Sequence, residues 1–368
     1  MGKTYSTPEV KRAGCDNPDK VVVYANGFGG SEYDPYYLRQ ELIAQSERLQ
    51  FASFSSQRVR CASLHSPKVE GKGAVQRRAA GLLDVMSLLA RESSTNKMGI
   101  VGHSMGCPTA VEAYLMVRDG NLPPFLMERR QDLEDIFDQV TVDLVAPAGF
   151  IPVNRLSRLA RAMMSGASSI VKDVGPSKEQ LGPLLPRGIE AAKCLLIDPL
   201  LAVAEGLDAS GLRTMEGVAA FLTESHEIQE TDSQRVENIE RLRVVTFEDD
   251  EIFPSASIVG ALVDPASQIY DRAVLEVASM LDPLLPTKLI LSGKAAALTP
   301  VNVGRFVAKA WSHYEQLQLD SDQELALKSL ADRVIRLEGN HSTVLTKKGA
   351  KNIATVISQP SQAIKAVA

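Results

Sequence analysis

The stretch Met98-Gly-Ile-Val-Gly-His-Ser-Met-Gly-Cys-Pro-Thr-Ala-Val111 decides how this chain is read. A short apolar run, Met98 to Val101, leads into the turn Gly102-His-Ser-Met-Gly106. A helix follows, with Pro108 in its first turn and Gly120 just past its end, a favourable residue at each terminus. The pattern G-x-S-x-G is short, and a chain with 25 glycines produces it by accident often enough that the pattern alone proves nothing. Its context carries the meaning. Between a strand and a helix the chain must reverse tightly, and Gly102 and Gly106 remove the side chains that would collide there. Ser104 takes the strained apex and is the candidate nucleophile. Cys107 falls in the first helical turn, where a helix dipole lowers a thiol pKa. Small buried cysteines are commonplace at such places, and no catalytic role is assigned to it.

Outward from this turn, strands and helices alternate. Asp19-Lys-Val-Val-Val-Tyr-Ala25 is a β-branched apolar run with the pattern of a buried parallel strand, and it ends in Asn26-Gly-Phe-Gly-Gly30. Ser31 can cap a helix running through Tyr36, Leu38 and Leu42. Residues 58–63 read as a weaker second strand. Val75, Ala79, Leu82, Met86 and Leu89 recur at helical spacing between Ala74 and Ala90. Further strands are expected at Val140-Thr-Val-Asp-Leu-Val-Ala146, Leu242-Arg-Val-Val-Thr-Phe247, Thr287-Lys-Leu-Ile-Leu-Ser292 and Arg333-Val-Ile-Arg-Leu337, with a last helix from about Val344 to Val356. This alternation predicts an α/β fold with a doubly wound, mostly parallel sheet. From Gly149 to about Glu240 the rhythm changes to mostly helical character with Pro and Gly breaks. The expected layout is a core of residues 1–149 and 241–368 with a helical cap, or lid, at 150–240.

Composition narrows the partners. A chain of 368 residues, 45% hydrophobic and 23% charged, is an ordinary globular protein of one large domain with an insertion, or of two domains. A net charge of -5 argues against a dedicated nucleic-acid binder, which shows a basic face. No apolar run is long enough for a transmembrane segment, and the N-terminal stretch lacks the apolar core of a secretory signal. Cys15, Cys61, Cys107 and Cys194 are scattered, without metal-ligand spacing or the density of a disulfide scaffold, so free thiols in a reducing cytoplasm are expected. Met1-Gly-Lys-Thr-Tyr-Ser6 also fits the loose pattern for N-myristoylation at Gly2. That pattern has meaning only in a eukaryotic host, and one acyl chain binds membranes weakly. An ordinary solvated start is the default.

The serine turn at a strand-to-helix junction, with an NGFGG loop directly after the first strand, resembles the α/β-hydrolases, serine hydrolases of the esterase and lipase kind. Their corresponding loop commonly reads His-Gly, where this chain has Asn26-Gly27. The resemblance covers nearly the whole chain apart from 150–240, which such hydrolases often carry as a lid. It implies that the backbone N–H groups of Phe28 and Met105 form an oxyanion hole. It also implies a late histidine as base, and His341, in Leu337-Glu-Gly-Asn-His-Ser-Thr343 after the last strand, occupies that place. Of the other histidines, His65, His226 and His313 lie in a loop, in the insertion and in an amphipathic helix, and His103 is expected to point away from the reacting face.

For the acid, three readings stand. In Phe247-Glu-Asp-Asp-Glu-Ile-Phe-Pro254 the spacing from Asp250 to Pro254 matches the family's acid turn, and this reading is favoured. In the second reading the chain lacks the acid and uses a Ser-His dyad. Or the acid position is 296, because Leu291-Ser-Gly-Lys-Ala-Ala-Ala-Leu-Thr-Pro300 has much the same shape with Ala296 where the Asp would stand. The resemblance then implies cleavage of an ester-type acyl bond of a small, apolar substrate through an acyl-enzyme, with no metal or organic cofactor. Acyl transfer and thioester, lactone or carbon–carbon hydrolysis fit the same site, and so does a non-catalytic ligand receptor on the same scaffold.

Overall fold

Three valines and a tyrosine in succession, Val21 to Tyr24, are all at most 1% exposed. A strand buried on both faces must lie in the middle of a sheet with helices above and below. This is strand β2 (Lys20–Ala25). The computed structural model describes residues 10–27, 35–54, 74–93, 95–150, 212–223, 241–265 and 319–359. Within them the order is β1 (Val10–Gly14), β2, α1 (Tyr36–Gln45), β3 (Leu49–Phe54), α2 (Ala74–Ser93), β4 (Met98–His103), α3 (Gly106–Arg118) and α4 (Arg130–Phe137). Then follow β5 (Thr141–Val145), α5 (Leu212–Thr223), β6 (Leu242–Phe247), α6 (Ser255–Val263), α7 (Ser321–Ala331), β7 (Ile335–Leu337) and α8 (Lys347–Ser358).

The seven strands form one sheet in the order β1-β3-β2-β4-β5-β6-β7. Every neighbouring pair is parallel except β1 with β3. Two apolar layers enclose it. On one face α1 and α8 pack with Leu38, Leu42, Ile353 and Val356 against Val22, Tyr24, Val101 and Val245. On the other, α2 to α7 contribute to a larger cluster that holds Val21, Val23, Ile100 and Leu144. The sheet is therefore doubly wound, as its alternating sequence pattern predicts.

Strand order also fixes where a site forms. From β2 the chain moves outward to β3 through α1 on one face, then returns past β2 to β4 and leaves it through α3 on the other face. Between the carboxyl ends of β2 and β4 the connections part in opposite directions, which opens a crevice above the sheet. Asn26-Gly27 follows β2 and Ser104 follows β4, so both stand at that switch point.

Two strands differ from the sequence expectation. β3 occupies 49–54, ahead of the run expected at 58–63, and β1 has no counterpart among the expected strands. Residues 58–63 and 287–292 lie outside the described residues. So does most of the expected cap at 150–240; its described part, α5, packs on α3 and α7 and places Met215, Val218, Phe221 and Leu222 in the larger core cluster. Among the described residues no helix is long and apolar enough to cross a membrane, and no cluster of His, Cys, Asp and Glu is placed to hold a metal ion.

The last helix is fastened to the sheet by a buried charge. Arg243 of β6 grips Asp143 of the adjacent β5 with two parallel bonds, Nε to Oδ1 at 2.5 Å and one terminal nitrogen to Oδ2 at 3.1 Å. Its remaining N–H groups donate to the main-chain oxygens of Val356, Ile357 and Gln359 at 2.9–3.1 Å. Those oxygens belong to the end of α8, where helix carbonyls lack partners within the helix.

Candidate active site

The sharp turn after β4 is built by small residues on both sides of a strained one. Ser104 has φ +53°, a left-handed conformation that costs a residue with a Cβ about 1–2 kcal/mol. The surrounding main chain holds it there. Its N–H donates to Val145 O at 3.0 Å, and its carbonyl accepts from Cys107 N–H at 3.0 Å and Ala148 N–H at 3.2 Å. A Cβ on Gly106 would overlap the main-chain oxygen of Ala25, and one on Gly102 would lie 2.9 Å from Cys107 Cα. The two glycines of the motif are thus steric requirements of the turn. Met105 directly precedes α3, so its N–H comes before the first bond of the helix and lies at the positive end of the helix dipole. Gly27, on the neighbouring loop, comes so close that a Cβ there would stand 3.1 Å from Ser104 Cβ. Phe28 lies outside the described residues.

Asp250 and His341 are brought together by two loops at the same edge of the sheet. Asp250 follows β6, and its side chain is fully buried. Its Oδ1 accepts from the N–H groups of Ile252 and Phe253 at 2.8 and 2.9 Å, and its Oδ2 lies 2.9 Å from His341 Nδ1. These bonds engage both carboxylate oxygens and aim one of them at the imidazole. The His loop is shaped by Gly339 at φ +119°, whose missing side chain leaves room for Thr343, and by Asn340, which accepts from Ser342 N–H at 3.0 Å. Main-chain bonds from Glu248 to Leu337 and from Asp249 to Gly339 stitch the two loops together. The Phe253 ring flanks the imidazole, with centroids 5.4 Å apart.

The tautomer follows from the partner. An ionised carboxylate only accepts, so the proton of a neutral His341 sits on Nδ1 and the lone pair on Nε2.

His103, expected to point away from the reacting face, packs on the His341 loop. Its ring is buried against His341, centroids 5.2 Å apart, and its Nε2 lies 3.1 Å from the His341 main-chain oxygen. Burial, followed by the neighbouring charge of His341, lowers its pKa from 6.5 to about 3. No local sequence signal announces this contact between residues 238 apart. Cys107 is buried and bonds to Gly102 O at 3.1 Å, and burial pushes its thiol pKa well up, which removes it from thiolate chemistry. His65, His226, His313 and Ala296 lie outside the described residues.

The site's chemical capacity is that of a serine at a strained apex, a helix-start N–H beside it, and an imidazole oriented by a buried carboxylate. In chain order these are Ser104, Asp250 and His341, the order in which α/β-hydrolases carry nucleophile, acid and base. No family model matches the chain, and no curated protein matches it. Solved structures similar to it include a bromoperoxidase from Bacillus anthracis, 10% identical over 95% of this chain and 93% of that one, with a TM-score of 0.42. An esterase from the archaeon Pyrobaculum calidifontis is 14% identical over 96% and 79%, at 0.36. A lipase-esterase related protein from Clostridium acetobutylicum is 9% identical over 84% and 100%, also at 0.36. Likenesses this distant assign no residue a role, and the fold is read from the sheet itself. By the strand order of the described residues, the antiparallel edge strand among them and the turns that follow β2 and β4, the chain has the α/β-hydrolase fold.

Proposed function

We propose that the protein is a serine hydrolase that cleaves an ester-type acyl bond of a small, apolar substrate through an acyl-enzyme on Ser104. The observation that carries this reading is the bond from His341 Nδ1 to the fully buried Asp250, set at the same edge of the sheet as the strained Ser104 turn. Ser104 Oγ attacks the acyl carbonyl, and its proton passes to His341 Nε2. The resulting oxyanion is held by the N–H of Met105, with Phe28 supplying the second donor; each such donor is worth roughly 3–4 kcal/mol in the transition state. As the carbon–oxygen bond to the leaving alcohol breaks, His341 returns the proton to that oxygen. Water then attacks the acyl-enzyme, giving a proton to His341; as the bond from the acyl carbon to Ser104 Oγ breaks, that proton passes to Oγ and the carboxylic acid leaves. Asp250 stays ionised throughout, orienting the imidazole and stabilising its charged form.

A fluorophosphonate probe tests the reading, because it phosphonylates only a serine activated in this way. The expected result is one adduct, located by peptide mass on Ser104, together with turnover of short aryl esters. Ser104→Ala is expected to lose the adduct and on the order of 10⁶-fold in kcat with nearly the same Tm. Undiminished ester turnover in that variant overturns the proposal.

A further inference from the structure

We infer that His103 is a positioning residue for the base: its imidazole donates a hydrogen bond from Nε2 to the His341 main-chain carbonyl and ties the base loop to the serine turn. This inference rests on the reading of Ser104 and His341 as nucleophile and base.

The geometry determines which nitrogen holds the proton. A carbonyl oxygen only accepts, so the ring nitrogen 3.1 Å from His341 O must be the donor, and His103 is the Nε2–H tautomer. Its Nδ1 faces Gly27, where a Cβ would come within 3.4 Å. Among the described residues, the titratable groups set against this ring are His341 and Asp250. Burial and the proximity of His341 keep His103 neutral, with a pKa of about 3, so it neither competes for the proton that His341 carries nor repels it.

The bond acts where side-chain contacts with the acid do not reach. Asp250 fixes the imidazole of His341 through Nδ1, but that ring can still swing with its main chain. β4 and β7 are separated in the sheet by β5 and β6, and the base loop must cross both strand ends to serve a serine on β4. His103 sits one residue before Ser104 and grips the main chain of His341, so the two reacting groups are referenced to each other directly. A misplacement of about 1 Å between such groups costs on the order of 10²-fold in rate.

His103→Phe and His103→Met keep an apolar ring or chain of similar bulk and delete the donor, whereas His103→Gln places an amide N–H close to the position of Nε2. Active sites are counted by fluorophosphonate titration, and kcat and KM are then measured per labelled site on a short aryl ester. The expected result is a 10- to 100-fold fall in kcat for His103→Phe and His103→Met with KM within about twofold, and recovery to within about fivefold of wild type in His103→Gln. Wild-type kcat per titrated site in either donorless variant overturns the inference, and so does an equal loss in all three variants. If one donorless variant does not fold, the other decides. Failure of the underlying reading shows separately, as ester turnover that survives Ser104→Ala.

Discussion

Among the described residues the buried carboxylates Asp143 and Asp250 each hold a nitrogen-bearing side chain, and the pairs differ in what they leave unused. Asp143 meets Arg243 inside the sheet, and Asp250 meets His341 at its carboxyl edge; in both, the acid is at most 2% exposed and its partner 10–12%. All five N–H groups of Arg243 are spent, two on the carboxylate and three on the end of α8. A guanidinium accepts no hydrogen bond, so that pair leaves no site for further chemistry. His341 spends one nitrogen on Asp250, and its Nε2 bonds to no described residue. The same kind of contact therefore fastens the fold at one place and leaves a reactive nitrogen at the other.

The largest expected effect breaks the comparison at its chemical end. Asp250→Asn keeps an oxygen for the N–H groups of Ile252 and Phe253 but turns an NH₂ group toward His341 Nδ1. The imidazole must then accept there and carry its proton on Nε2, which removes the base. On the proposed mechanism kcat falls on the order of 10⁴-fold with little change in Tm, while Asp143→Asn leaves kcat per folded molecule unchanged. Ala296→Asp is expected to add nothing, and a strong gain from it would transfer the role of acid away from Asp250.

The next effect lies at the structural end. Asp143→Ala strands a buried guanidinium, and removing one member of such a pair typically destabilises by about 3–5 kcal/mol. Urea denaturation reads this directly. A loss under about 1 kcal/mol would show that the bonds to α8 alone satisfy Arg243.

A smaller effect concerns His103, the imidazole that packs on the His341 loop. The folded-state pKa of His103, about 3, lies below its ordinary 6.5, so between these values the unfolded chain binds more protons. Stability is unaffected by this residue above about pH 6.5 and is lost as the pH falls toward 3. The slope is up to about 1.4 kcal/mol per pH unit. Denaturation at pH 7 and pH 5 should show wild type losing more stability than His103→Gln. Identical losses would mean that the ring is solvated enough to charge.

Much of this arrangement is legible locally. β2, β4, β5 and β6 announce themselves as apolar, β-branched runs, because strands buried on both faces need no alternation. The serine turn is readable because its glycines are steric requirements. β3 and β1 are harder for a physical reason. β3 buries Gln50 and Ser53 along with Leu49, Phe51 and Phe54, so it shows neither a pure apolar run nor a polar face. Its burial comes from pairing on both sides, with β1 and β2. β1 is an edge strand of mixed polarity whose partner lies some forty residues away.

The sequence by itself determined the parallel sheet and the strained serine at the end of β4, because each is written in the spacing of neighbouring residues, and the resemblance pointed to a late histidine in a glycine-containing turn. It left the acid open among Asp250, position 296 and none. Only the tertiary structure set Asp250 at 2.9 Å from His341, across 91 residues of chain, and turned His103 inward onto the same loop. Contacts of that kind depend on strand order and on where loops cross the sheet edge, and local spacing carries no information about either.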